Sequence, residues 1–243
     1  MSGFWRFLRY GLLGIANLVA LLIAIPVIYL TAGSVYQSRV HYTHHYRLVL
    51  EIEDHGEIRT GSSVIGVSFS PTPPWTVYRL GSPWTRFHGE AVVVELSTGQ
   101  VVVATLRHGI GGRPYSMSGL ASLAFPDLSK EARDKYKYWM AGAPHWDAVI
   151  DLPDNLIPML ILFEDTNNPL YFHEMRHDDL TEMLGPEIRF LRVRLEMTSD
   201  AVTSSIKDHL PFLREDWSGA DSALPRNHDR APPRRYFRQG LYQ

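Results

Sequence analysis

Residues 46–53 read YRLVLEIE, and the fold turns on how that string is read. Tyr46, Leu48, Leu50 and Ile52 share one parity, while Arg47, Glu51 and Glu53 share the other. An extended chain puts the first set on one face and the charges on the opposite face, whereas a helix would scatter both sets around its axis. The string is a half-buried strand. Asp54-His55-Gly56 supplies a turn, and 57–70 (EIRTGSSVIGVSFS) continues as the second strand of a hairpin, bent where Gly61 or Gly66 interrupts it. The prolines of the next string, SPTPPW at 70–75, end regular structure because they carry no N–H for a ladder.

Further along, 89–96 (GEAVVVEL) and 100–106 (QVVVATL) are valine-rich strands joined at Ser97-Thr98-Gly99, a second hairpin with both strands expected at the centre of a sheet. A third apolar run, 156–164 (LIPMLILFE), reads as another buried strand. The string 187–198 (EIRFLRVRLEMT) sets Ile188, Phe190, Val193, Leu195 and Met197 against Arg192, Arg194 and Glu196, which predicts an antiparallel sheet wet on one face. Short helices are expected over 119–124, over 130–140 with Ser129 as N-cap and Gly142 as stop, and over 202–213 with Pro211 as interruption. The expected architecture of 46–217 is mainly β: an antiparallel sandwich or strongly curved sheet with a few peripheral helices.

Upstream, 11–32 (GLLGIANLVALLIAIPVIYLTA) holds no charge. As a helix it is roughly 33 Å long, enough to cross a hydrocarbon core of about 30 Å. It reads as one transmembrane helix, flanked by Trp5, Tyr10, Tyr29 and Tyr36 as interfacial anchors and kinked at Pro26. The alternative is a cleaved signal peptide, with Arg6 and Arg9 as its basic region and Ala32 and Gly33 at the cleavage point. The run exceeds the usual length of such a core, and Leu30 is poorly placed for cleavage, so an uncleaved anchor is the preferred reading. The basic flank predicts a cytoplasmic N-terminus over 1–10, a juxtamembrane connector over 33–45, and the β domain on the periplasmic or extracellular side. Residues 218–243, rich in Pro and Arg and without apolar periodicity, read as a disordered tail.

Composition narrows the function classes. The formal net charge is -2 over 243 residues, which provides no broad cationic field and leaves nucleic acid an unexpected partner. There is no cysteine, so disulfides, thiolate metal sites and cysteine nucleophiles are excluded. The expected partners are the membrane, through 11–32, and an envelope protein; the sequence sets no oligomeric state.

One string has the form of a catalytic motif. His173-Glu174-Met175-Arg176-His177 matches H-E-x-x-H, in which two histidines one helical turn apart converge on zinc and the glutamate activates its water. Glu196, in Glu196-Met197-Thr198-Ser199-Asp200, resembles the E-x-x-x-D that supplies the third ligand in gluzincin peptidases. On that reading His173, His177 and Glu196 hold zinc and Glu174 is the general base. The surroundings oppose it: Pro169 lies upstream, Asp178 or Asp179 is placed to start a helix running to Leu184, and Glu196 falls on an alternating strand. The sequence therefore favours a domain without a cofactor, with the zinc metallopeptidase as the alternative.

Other strings are weaker. Gly61 to Gly66 (GSSVIG) is not a G-x-S-x-G elbow, and His108-Gly109-Ile110-Gly111-Gly112 resembles an oxyanion loop but reads as a turn. His41, His44 and His45 form a cluster able to bind a metal or sense pH, with an exposed connector as the simpler reading. Trp75, Trp84, Trp139 and Trp146 flank loops, where packing at the core or its rim is expected.

The segments 46–67, 89–96 and LGPEIRFLRVRLEMTSDAVTSSIKDHLPFL, with TGSSV and LPFL as their most specific pieces, resemble a group of bacterial membrane-anchored or exported proteins without an assigned activity. The resemblance implies a β domain tied to the envelope and implies no zinc site between Pro169 and Leu184. We expect a membrane-anchored domain that acts by binding or structural association.

Overall fold

In a computed structural model the described residues are 2–75, 84–108, 117–166, 171–214 and 237–239. They form two compact units: Met1–His41 with Phe69–Trp84, and Tyr42–Ser68 with the remainder.

The first unit is built on α1, Ser2–Arg39. Within it Asn17–Arg39 is a 23-residue stretch of mean hydropathy 2.3, none of it buried, long and apolar enough to cross a membrane. A signal sequence passes the same test of length and composition. The helix continues past Pro26 to Arg39, so the connector expected over 33–45 is helix in its first half. Thr31 and Ser34 return their hydroxyls to the carbonyls of Val27 and Leu30, which lets polar residues sit on an apolar helix.

The second unit is mainly β. Its strands are β1 (Tyr42–Asp54), β2 (Glu57–Ser70), β3 (Trp84–Glu90), β4 (Val92–Glu95), β5 (Val101–His108), β6 (Val149–Asp151), β7 (Pro158–Phe163), β8 (Phe172–Met175), β9 (Ile188–Thr198) and β10 (Arg238–Gln239). They form two antiparallel sheets, one ordered β10-β3-β2-β1-β9-β6 and the other β4-β5-β7-β8. The β1–β2 turn places His55 at φ 52° and Gly56 at φ 84°, the pair of positive values that a two-residue primed hairpin turn requires.

The two sheets explain the two kinds of strand pattern. Tyr46, Leu48, Leu50 and Ile52 of β1 and Val193 and Leu195 of β9 face a core shared with Val92, Val94, Val102, Leu160 and Leu162 of the second sheet. The other face of β1 and β9 is wet, hence the alternation. The second sheet is covered on both faces: beyond it lies a separate cluster of Val101, Val103, Met159, Ile161 and Phe163 with Ile206, Leu210, Phe212, Leu213 and Phe237. A strand buried on both sides has no polar parity, so β5 and β7 read as unbroken apolar runs.

Four expectations change. The alternation of 187–198 skips a beat: the inward set is Ile188 and Phe190, then Val193 and Leu195, because Glu51 pairs with Arg192 while Ile52 pairs with Phe190. Leu191 is the extra residue of a β-bulge. The string GEAVVVEL is not one strand. Gly89 and Glu90 end β3 in the first sheet, Val92 opens β4 in the second, and β4 is an edge. At that crossing a Cβ on Gly89, whose φ is 156°, would stand 3.1 Å from the Ile65 Cα, so only glycine fits. The helix expected from Lys130 begins earlier, at Pro126, as α3 (Pro126–Tyr136; α2 is the short helix Leu120–Ala124), and Ser129 is a buried partner of Ser122 at 2.6 Å instead of a cap. Lastly, Phe237 is fully buried and Arg238 and Gln239 pair with Glu90 and Gly89, so the tail is ordered at 237–239; the rest of 218–243 lies outside the described residues.

Candidate functional site

The segment of the zinc-like string is not one helix. His173 and Glu174 lie on β8, which pairs with β7 so that His173 stands opposite Leu162 and Glu174 opposite Ile161. Neighbouring residues of a strand point to opposite faces, so these two side chains diverge. His177 follows β8 in a turn, before the helix Leu180–Leu184. Asp179 stands at the N-cap position, but its carboxylate accepts the N–H of Arg176 at 3.0 Å, closing that turn instead of capping the helix.

Each candidate ligand has a different neighbour. His173 Nε2 is 3.2 Å from Glu164 Oε1, both exposed. His177 is mostly buried, its ring 4.9 Å from that of Phe190, with Nε2 3.6 Å from Asp154 Oδ1. Glu196 sits on β9 opposite Arg47 and Val149, where its carboxylate is 3.4 Å from the Arg47 guanidinium and 4.0 Å from that of Arg194. The structure thus brings His177 beside Asp154 and Glu196 into an arginine ladder, and among the described residues no group of three or more His, Asp or Glu is placed to hold a metal.

That ladder runs along the wet face of β1, β9 and β6. Arg189 reaches Glu53 at 2.7 Å, Arg192 reaches Glu51 at 2.8 Å and Asp151 at 3.4 Å, and Arg194 reaches Asp151 at 3.1 Å. Arg47 also pairs with Asp200. Arginines on one strand alternate with carboxylates on its neighbours, so the face holds its charge in internal pairs.

A concave site does exist where the string ends. Asp154, Asn155, Ile157, Pro158, Met159, Met175, Arg176 and His177 line a cleft of about 520 Å³. The short turn Asp154–Leu156, the start of β7 and the end of β8 build it. Its apolar lining comes from Ile157, Pro158, Met159 and Met175, and its polar lining includes Asn155, His177 beside Asp154, and Arg176, whose Nε donates to Asp178 at 3.0 Å. An apolar floor with a few convergent polar groups is the usual form of a binding site. The sequence carries this signal in the wrong form: the H-E-x-x-H string singles out His177 as a zinc ligand, whereas nothing marks Asp154 or Met159.

A second feature escapes the sequence reading. β1 starts at Tyr42, so His44 shares the inward parity of Tyr46 and Leu48 and is buried, not part of an exposed connector. Both of its ring nitrogens are buried without a hydrogen-bond partner. Its ring meets Trp139 edge to face at 5.1 Å, and Trp139 stacks on Trp146 at 5.8 Å, so this tryptophan pair packs against the core. Burial first, and then the charge of His45, lower the His44 pKa to about 4. The tyrosine of the same face, Tyr46, donates its hydroxyl to the Met117 carbonyl at 2.7 Å, and burial pushes its pKa upward. Of the weaker strings, GSSVIG is continuous β2, and 109–112 lie outside the described residues.

Compared with protein-family models, with curated proteins and with solved structures, the chain matches none.

Proposed function

We propose that this chain is a single-span membrane protein whose two-sheet domain acts by binding a partner on the non-cytoplasmic side of a bacterial membrane. The observation that carries the reading is α1, whose apolar stretch Asn17–Arg39 has no buried residue among the described residues. In water that much unburied Leu, Ile and Val would be strongly unfavourable, at roughly 25 cal/mol per Å² of apolar surface, and lipid removes the penalty. Arg6 and Arg9 before the span support the orientation with the N-terminus inside, and the resemblance of the strand segments to envelope proteins supports the compartment. Only Val40 and His41 separate α1 from β1 along the chain.

The cleft at the β7–β8 end supports binding as its mode of action. It offers an apolar floor to a partner's apolar side chain and His177 and Arg176 to its polar groups. An envelope protein segment is the occupant that this chemistry fits best.

Two measurements test the proposal. Carbonate extraction and protease protection of membrane vesicles should leave the full-length chain in the membrane with its domain inside inverted vesicles; release of a chain shortened to the residues after Ala32 would establish cleavage instead. For binding, a photocrosslinker on Asn155→Cys at the exposed rim of the cleft should give one discrete adduct in native membranes. The same adduct pattern from Thr98→Cys, in the distant β4–β5 turn, would sink the cleft as the binding site.

A further inference from the structure

We propose that residues 71–75 are a second membrane contact, a proline-rich loop that holds Trp75 in the lipid headgroup region beside α1. The inference rests on the reading of α1 as a membrane span and concerns what that span carries with it.

The loop and the helix belong to one compact unit. Tyr29 of α1 donates its hydroxyl to the Trp75 carbonyl at 3.0 Å, and Tyr36 of α1 meets the Trp75 ring edge to face at 5.1 Å. Between them on the helix stands Gly33, where a Cβ would come within 3.8 Å of the Pro73 ring. Just before the loop, and within the same unit, Ser70 donates to the Gln37 carbonyl at 3.3 Å. The loop is thus laid along α1 between Tyr29 and Tyr36, a rise of about 10 Å at 1.5 Å per residue.

That interval fixes a depth. The dense apolar part of the run ends at Ala32, between Tyr29 and Tyr36, and Ser34, Gln37, Ser38 and the first charge, Arg39, follow it. The hydrocarbon boundary therefore falls inside the interval, and the zone of headgroups on either side of a bilayer is several ångströms thick. Tryptophan and tyrosine favour this zone because one part of the ring is apolar and another can hydrogen-bond. Trp75 remains 46% exposed, which leaves much of its ring to meet lipid.

The composition of the loop suits the place. Pro71, Pro73 and Pro74 have no backbone N–H, so three of the donors that would need partners on leaving water are missing from the chain. The Trp75 carbonyl, an acceptor held against the span, already has the Tyr29 hydroxyl. A loop meant only to turn in water needs neither provision.

The chain has no cysteine, so single-cysteine spin labelling of the full protein is direct. Thr72→Cys, Leu22→Cys and Thr98→Cys are each labelled with a nitroxide in vesicles of phosphatidylcholine and phosphatidylglycerol, and collision with oxygen, which partitions into lipid, is compared with collision with a water-soluble nickel chelate. Position 22 should be oxygen-dominated, position 98 nickel-dominated, and position 72 intermediate, at headgroup depth. Adding Trp75→Ala should shift position 72 toward the values of position 98. If position 72 equals position 98 while position 22 stays oxygen-dominated, the loop proposal is overturned and the span stands. If position 72 is shielded from both reagents, protein and not lipid covers it, which also overturns the proposal. A nickel-dominated position 22 would remove the span itself and both readings with it.

Discussion

The imidazole of His44 lies edge to face against Trp139, ring centres 5.1 Å apart, with neither of its nitrogens hydrogen-bonded. A neutral ring tolerates this environment and a charged one does not, which is why the folded-state pKa falls from 6.5 to about 4. The unfolded chain then binds more protons than the folded one between these values, so stability rises with pH through that window and is lost as pH falls from 6.5 toward 4. The full difference is about 3 kcal/mol. Denaturant melts of the wild type from about pH 7 to about pH 4 should show the slope. In His44→Phe it should flatten, with stability at neutral pH unchanged or higher, since an apolar ring leaves no polar atom unpaired. A residual slope is expected from His88, whose pKa burial and the His45 charge also lower. An unchanged slope in the variant would assign the acid sensitivity elsewhere.

The backbones of β2 and β4 approach so closely that a Cβ on Gly61 would overlap the Val93 carbonyl oxygen and lie 2.8 Å from its carbon. Backbone atoms cannot swing aside as the end of a side chain can. Gly61→Ala should lower the unfolding free energy by about 3 kcal/mol, or more if the sheets must part. Gly99→Ala is the comparison: it has open space but a φ of 84°, so it should cost less, about 1 kcal/mol, through backbone strain alone. Urea midpoints of the two variants check the ranking, and a smaller loss at Gly61 would contradict the packing described.

Asp54 is a buried carboxylate at the end of β1 that accepts the Ser97 N–H at 2.6 Å and the Ser97 hydroxyl at 2.9 Å, with Arg59 at 3.3 Å. Burial alone would raise its pKa, but the two bonds from Ser97 and the Arg59 charge outweigh it and hold the carboxyl below its usual range. Its contribution is therefore complete above the unfolded value of 3.8 and is lost as pH falls through the folded value. Asp54→Ala should cost about 1–2 kcal/mol at neutral pH, because Ser97 at the edge of the turn recovers part of its hydrogen bonding from water. Its destabilisation should shrink as pH falls below the unfolded value of 3.8 in the same denaturant titration.

Arg192 bridges Glu51 and Asp151 across three strands, yet its guanidinium and the Asp151 carboxylate are open to solvent, Glu51 alone being mostly covered. Exposed pairs contribute little and are screened by salt. Arg192→Ala should change the melting temperature less than Asp54→Ala does, and the difference from wild type should narrow in high salt. A large, salt-independent loss would mean that the ladder organises the sheet.

His173, His177 and Glu196 occupy a strand, a turn and a second strand, each with its own neighbour. Added zinc or a chelator should leave the melting curve of the full chain unchanged, and His177→Ala should not alter its metal content. Stoichiometric zinc that disappears with His177→Ala would restore the peptidase reading.

What can be read from the residues depends on how many faces of an element are wet. β1 and β9 each keep one wet face, so period-two alternation is visible, and the strand expected over 57–70 matches β2 to the residue. β6 and β8 are illegible in the sequence: at three and four residues they are too short to carry a period, and their pairing is decided by β9 and β7. The bulge at Leu191 is present as a parity change from Phe190 to Val193, a signal that vanishes when the pattern is averaged. His44 is hidden for a different reason. Its parity makes sense only once the strand is known to begin at Tyr42, and a histidine beside two others suggests solvent. The cleft is the least legible, since its floor and rim come from turns and strand ends separated in sequence.

Phe237 packs against Phe163 and Phe212, and its carbonyl accepts the N–H of Ala91, the residue at which the chain passes from one sheet to the other. It follows every other described core residue in the order of synthesis. The second hydrophobic cluster therefore cannot close until the ribosome has released the chain past Phe237, and its apolar surface stays open until then. A chain cut before Phe237 would leave that cluster without its last aromatic ring and the Ala91 N–H without its carbonyl partner.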